Sequence, residues 1–89
     1  MQNVIAVAQK LNTTIVKTVE DDVTIFTISN KNSTAYNKKA YVEVFGNDFV
    51  AVVIFNKGAK INTECYSTTQ QTINKAIALA VTALTAICL

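Results

Sequence analysis

The side chains of this 89-residue chain that could do chemistry are two cysteines, six carboxylates, eight lysines and a scatter of serine and threonine hydroxyls. A cysteine or hydroxyl nucleophile needs a base beside it or a depressed pKa. The chain has no histidine to act as that base, and Glu64, adjacent to Cys65, opposes thiolate formation. Cys65 and Cys88, 23 positions apart, cannot close a zinc site without histidine. Glu20, Asp21 and Asp22 share one turn-like stretch while Glu43, Asp48 and Glu64 are scattered, so no acid–base pair stands out. With two glycines, neither a dinucleotide-binding fingerprint nor a phosphate-binding loop can be written. The expectation is a protein that is not an enzyme, with no catalytic, cofactor-binding or metal-binding residues and no cofactor. Both cysteines lie among apolar neighbours and are expected as buried free thiols.

The lysines carry the remaining chemistry. All eight cations are lysine, and the net charge of +2 is too small by itself to imply nucleic-acid or membrane binding. Their placement says more. Between the apolar segments the joints alternate in sign: Lys10, then Glu20-Asp21-Asp22, then Lys31, Lys38 and Lys39, then Asp48, then Lys57 and Lys60. In an up-and-down meander successive joints lie at alternate ends of the sheet, so one end would gather Lys10, Lys31, Lys38, Lys39, Lys57 and Lys60 around Tyr36. Lysines neutralise phosphates and an exposed tyrosine stacks on an unpaired base. Without arginine no bidentate reading of guanine is available, so nucleic acid would be bound with little sequence preference. An acidic protein surface suits the same end equally, and so does a solvated rim with no function.

The segments that must position these residues are dense in β-branched and aromatic side chains: 13–19, 23–29, 40–45, 49–55 and 59–66. Their short polar joints imply antiparallel neighbours. In 49–55 both alternating faces are apolar, so both faces of the sheet should be covered. Segment 59–66 is one-sided, with Ala59, Ile61, Thr63 and Cys65 inward, and is expected near an edge. Residues 3–11 place Val4, Val7, Ala8 and Leu11 on one helical face, although VIAVA also fits an edge strand. Ser67 followed by Gln70 satisfies a capping box for a helix from 68 to about 87. Its packing stripe is Ile73, Ala76, Ile77, Ala80, Val81, Leu84, Ile87 and Cys88.

The opposite side of that helix has Lys75 as its only charge, and residues 76–89 contain neither a charge nor an amide. Ala78, Thr82 and Ala86 recur every four residues beside Leu79, a smooth seam that lets a second helix approach closely. Burial inside the monomer and membrane contact are the rival readings. The uncharged run extends about 21 Å as helix, short of a hydrocarbon core of about 30 Å. The opening MQNVIAVAQKLN lacks a basic region and a long apolar run, so it does not read as a signal peptide, and the default compartment is the cytoplasm.

The sequence therefore predicts one α+β domain over 1–89. It is an antiparallel four- to five-stranded meander with a short N-terminal helix and a long C-terminal helix packed on one face. The functional expectation is a small non-catalytic protein that binds another protein as inhibitor, adaptor or assembly component, of the kind carried by phages or mobile elements. It self-associates, a homodimer being favoured, through Ala78, Leu79, Thr82 and Ala86. The alternative is a weakly sequence-specific single-stranded nucleic-acid binder acting through the lysine-rich end.

Overall fold

In the computed structural model, which describes residues 11–33 and 37–88, five strands follow one another across a single antiparallel sheet. They are β1 (Thr14–Glu20), β2 (Val23–Ser29), β3 (Lys38–Phe45), β4 (Phe49–Asn56) and β5 (Ala59–Cys65), in spatial order β1-β2-β3-β4-β5. One helix, α1 (Gln70–Ile87), follows. The meander is what the short joints dictate. Glu20 pairs with Val23 and Asn56 with Ala59, leaving two-residue turns. Such turns favour left-handed backbone. Asp21 adopts φ 53° in the first, and Lys57 and Gly58 adopt φ 53° and 89° in the second. The three-residue turn from Gly46 to Asp48 is tied to the first by Gly46 N–H donating to Asp22 C=O at 2.8 Å.

Strand alternation and register sort the side chains into cross-strand rows on two faces. On the helix side, one row runs Ile15–Ile28–Ala40–Ile54–Ile61 and the next Lys17–Phe26–Val42–Val52–Thr63. The centre of this face is the core: Ile28, Ala40, Val42 and Val50 are almost fully enclosed with Ala80, Leu84 and Cys88 of the helix end. The expected packing stripe is the one used, with Ala76, Ala80, Leu84 and Cys88 buried and Ile73, Ile77, Val81 and Ile87 packed around them.

The helix covers only part of the sheet. It packs on β3 and β4 and, less closely, on β2. A helix is about 10–12 Å across and strands lie about 4.8 Å apart, so one helix spans two or three strands. Every residue of β1 and of β5 is exposed. Ile61, Thr63 and Cys65 do lie on the helix side, as their alternation requires, but nothing among the described residues sits over them. Cys65 is therefore an exposed free thiol, which corrects its expected burial, while Cys88 is a buried free thiol as expected. Thr85, which lies outside the expected packing stripe, is buried and its hydroxyl donates to Val81 C=O at 2.7 Å.

The helix begins two residues later than the expected capping box. Thr69 is the N-cap, its hydroxyl accepting from Thr72 N–H at 3.2 Å, while Ser67 Oγ lies 3.0 Å from Thr72 Oγ1. The expected N-terminal helix falls outside the described residues except for Leu11, which is buried in the core. Among the described residues no helix is long and apolar enough to cross a membrane.

Leu84 is fully enclosed. Leu84→Ala is expected to cost about 2–5 kcal/mol in denaturant unfolding, whereas Leu79→Ala, on the exposed side, is expected to shift stability by about 0.5 kcal/mol or less.

Candidate functional site

Two surfaces gather the residues singled out above. The first is the outer side of α1 with the groove between it and β5. Ala78, Leu79, Thr82 and Ala86 are all exposed, Leu79 at 54%. Thr82 turns its hydroxyl back onto Ala78 C=O at 2.8 Å, so its outward surface is largely methyl. Beside this seam lies an open groove of about 320 Å³, walled by Thr72, Ala76 and Leu79 on one side and Thr63, Glu64 and Cys65 on the other. It exists because the helix stops short of β5.

The second surface is one end of the sheet. The meander places the β2–β3 loop, the Lys57-Gly58 turn and the helix C-terminus together, with Lys57 N–H donating to Asn37 C=O at 3.2 Å. Lys31, Lys39, Lys57 and Lys60 are exposed there. Lys38 is half-buried and donates from Nζ to Ile87 C=O, and Asn32 Nδ2 donates to Cys88 C=O at 2.9 Å. Asn32 from the β2–β3 loop and Lys38 from the start of β3 thus satisfy carbonyls that a helix end leaves open. Lys10 and Tyr36 lie outside the described residues. The turns bearing Glu20, Asp21, Asp22 and Asp48 lie at the opposite end, where the helix begins. α1 carries no acidic residue in its first turn and no basic residue in its last. Lys38 of the sheet instead brings a cation to the negative, C-terminal end of the helix dipole.

The face of the sheet turned away from α1 adds rings that the segment-by-segment reading did not connect with the lysines. Tyr41 and Phe55 meet edge to face with centroids 6.0 Å apart, and Lys60 Nζ lies 5.8 Å from the Phe55 centroid. Lys39 lies directly across from Phe55. The signal was present in the strand pairing, since Lys39 and Tyr41 alternate onto the same face, but it needed the register between β3, β4 and β5. At the other end of this face Phe45 stacks on Phe49 at 4.6 Å, and Tyr66 follows at 5.7 Å from Phe49. Ala51 and Val53, each 3% exposed, lie in the rows between these rings.

Tyr66 Oη donates to Glu64 Oε2 at 2.8 Å. That hydrogen bond, reinforced by the carboxylate's charge, raises the Tyr66 pKa above the ordinary tyrosine value. Among the described residues no group of three or more histidine, cysteine or carboxylate side chains could hold a metal ion. The chain matches no protein-family model, no curated protein and no solved structure.

The raised Tyr66 pKa has a definite sign. The bond is held by the neutral phenol, so its contribution is present below the ordinary tyrosine pKa and is lost as pH rises through the raised value. Glu64→Gln is expected to move one tyrosine's phenolate absorbance transition back toward lower pH and leave the others in place.

Proposed function

We propose that this chain is a small non-catalytic binding protein that acts through protein–protein contact, as an inhibitor, adaptor or assembly component, and that it associates with itself. The observation that carries the reading is the distribution of apolar surface. Ile15, Val16, Val19, Ile61, Tyr66 and Leu79 are between 45% and 77% exposed, although a three-strand core is already closed beneath the helix. Scattered exposed aliphatics are ordinary, but here they fall on both edge strands and on the helix flank, positions open to contact with another macromolecule. The seam of Ala78, Leu79, Thr82 and Ala86 fits close approach by a second helix, because its one hydroxyl is already bonded within its own helix.

The test of that seam is Thr82→Lys. A lysine there would face a desolvated partner helix, and the oligomeric mass measured by light scattering is expected to fall. An unchanged oligomeric mass would remove the seam from the account.

One observation favours a second reading, a single-stranded nucleic-acid binder. Lys39 and Lys60 stand beside the Tyr41–Phe55 ring pair at the lysine-rich end, an arrangement of charge and stacking surface that suits unpaired bases. On this reading a labelled single-stranded oligonucleotide gains anisotropy with protein at about 50 mM salt and loses it by about 200 mM. Lys39→Glu then weakens binding at least about tenfold. On the leading reading there is no binding at either salt.

A further inference from the structure

The two edges of the sheet are not equivalent. Each is a seven-residue strand, exposed throughout, with one neighbouring strand among the described residues. Such an edge presents unpaired N–H and C=O groups to any chain that can match them. The middle residue of β1 is Lys17, which its register with Phe26 places on the helix side of the sheet. An inward lysine at the centre of an edge strand is a device that blocks pairing, and antiparallel self-pairing about it would set two lysines against each other.

The middle residue of β5 is Asn62, and its surroundings have the opposite character. Lys60 lies two residues before it and Glu64 two residues after, both on the face away from α1. A two-fold axis through Asn62 therefore turns the strand into its own complement. Lys60 faces Glu64 of the partner subunit, Glu64 faces the partner's Lys60, Ile61 faces the partner's Thr63, and Ala59 faces the partner's Cys65. Because outward-pointing amides and carbonyls alternate along a strand, any register centred on a residue sets outward groups against outward groups, and the ladder closes. The Tyr66 hydroxyl occupies one oxygen of Glu64 and leaves the other for a cation from outside. The same axis brings the lysine-rich end of one sheet beside the acid-rich end of its neighbour.

We propose that β5 is a self-recognition edge, through which two copies of this chain join antiparallel about Asn62 into one continuous ten-stranded sheet held in register by two Lys60–Glu64 pairs. The occupant is a second copy because the charge pattern is complementary to itself. Helices placed over β3 and β4 would lie about 19 Å apart across the axis, at about 4.8 Å per strand, too far for contact at the usual 8–10 Å. The β5 contact is thus separate from the helix seam, and the two grooves over Ile61, Thr63 and Cys65 merge into one trough between the helices. It deepens the self-association reading, and the two interfaces fail independently: Thr82→Lys reports on the seam and changes at 60 and 64 report on β5.

The experiment is sedimentation of the full chain across a concentration series, with wild type, Lys60→Glu, Glu64→Lys and the double exchange Lys60→Glu/Glu64→Lys compared. All changes are on exposed positions, and circular dichroism checks that each variant is folded. Each single change sets like charges against each other at two symmetric positions and is expected to weaken dimerisation about ten- to thirtyfold. The double exchange restores opposite pairs and is expected to return the dissociation constant to within about threefold of wild type. That rescue is the supporting result, since loss of two unrelated surface charges gives no reason for it. The proposal is overturned if the wild-type chain remains at 9.7 kDa up to about 1 mM. It is equally overturned if the single changes leave the dimer constant unaltered, or if the double exchange is as weak as the singles.

Discussion

The width of one helix against the width of five strands is the constraint from which the rest of this structure follows. α1 closes a dry core over β2, β3 and β4, using alanines at 76 and 80 to come close and Leu84 to fill the space between strands. Nothing of that width reaches β1 or β5. The row Ile15–Ile28–Ala40–Ile54–Ile61 records the consequence: its three inner members are 0–8% exposed and its two ends 45% and 61%. A small chain buries a modest share of its surface in any case, and here apolar residues that a wider cover would have enclosed remain at the margins.

Helix and sheet are also joined through charge at the end of α1, where Lys38 reaches a helix carbonyl. An up-and-down meander sends alternate turns to opposite ends, and the turns of this chain alternate in charge. The acidic turns therefore lie at the end of the sheet where α1 starts and the lysines at the end where it finishes, and there Lys38 and Asn32 bond the last carbonyls. This gives the lysine-rich end a structural role before any ligand is considered. It sets a limit on the nucleic-acid reading, because Lys38 is engaged with the helix while Lys39 and Lys60 stand near rings on the far face.

Much of the architecture was legible in the residues. The strands were marked by β-branched runs and their ends by Asp21-Asp22, Gly46-Asn47-Asp48 and Lys57-Gly58, because turn chemistry is local. The helix stripe was legible for the same reason, being a matter of spacing. What was not legible depended on which element covers which. Cys65 sits on the core side by alternation yet is exposed, because coverage is set by the helix position and not by strand phase. Thr85 falls outside the packing stripe by spacing yet is buried. The choice of Thr69 over Ser67 as N-cap turned on competing hydroxyls within three residues, which pattern alone does not rank. The site was legible in part. Lysines and the seam residues were visible singly, whereas the Tyr41–Phe55 pair and the symmetry of β5 about Asn62 emerged only with register.

The same register assigns different fates to the two edges. β1 carries its charge inward at its centre, and β5 carries a basic and an acidic residue placed symmetrically on one face. The central claim is that the surface left over by a narrow helix is divided between a blocked edge and a pairing edge. Amide hydrogen exchange of the native protein at low and high concentration tests it most directly, residue by residue. The account predicts that alternate amides of β5, those pointing outward, gain protection as concentration rises, while the amides of β1 do not change. Exchange in β5 that is independent of concentration, or protection that appears in β1 instead, would contradict it.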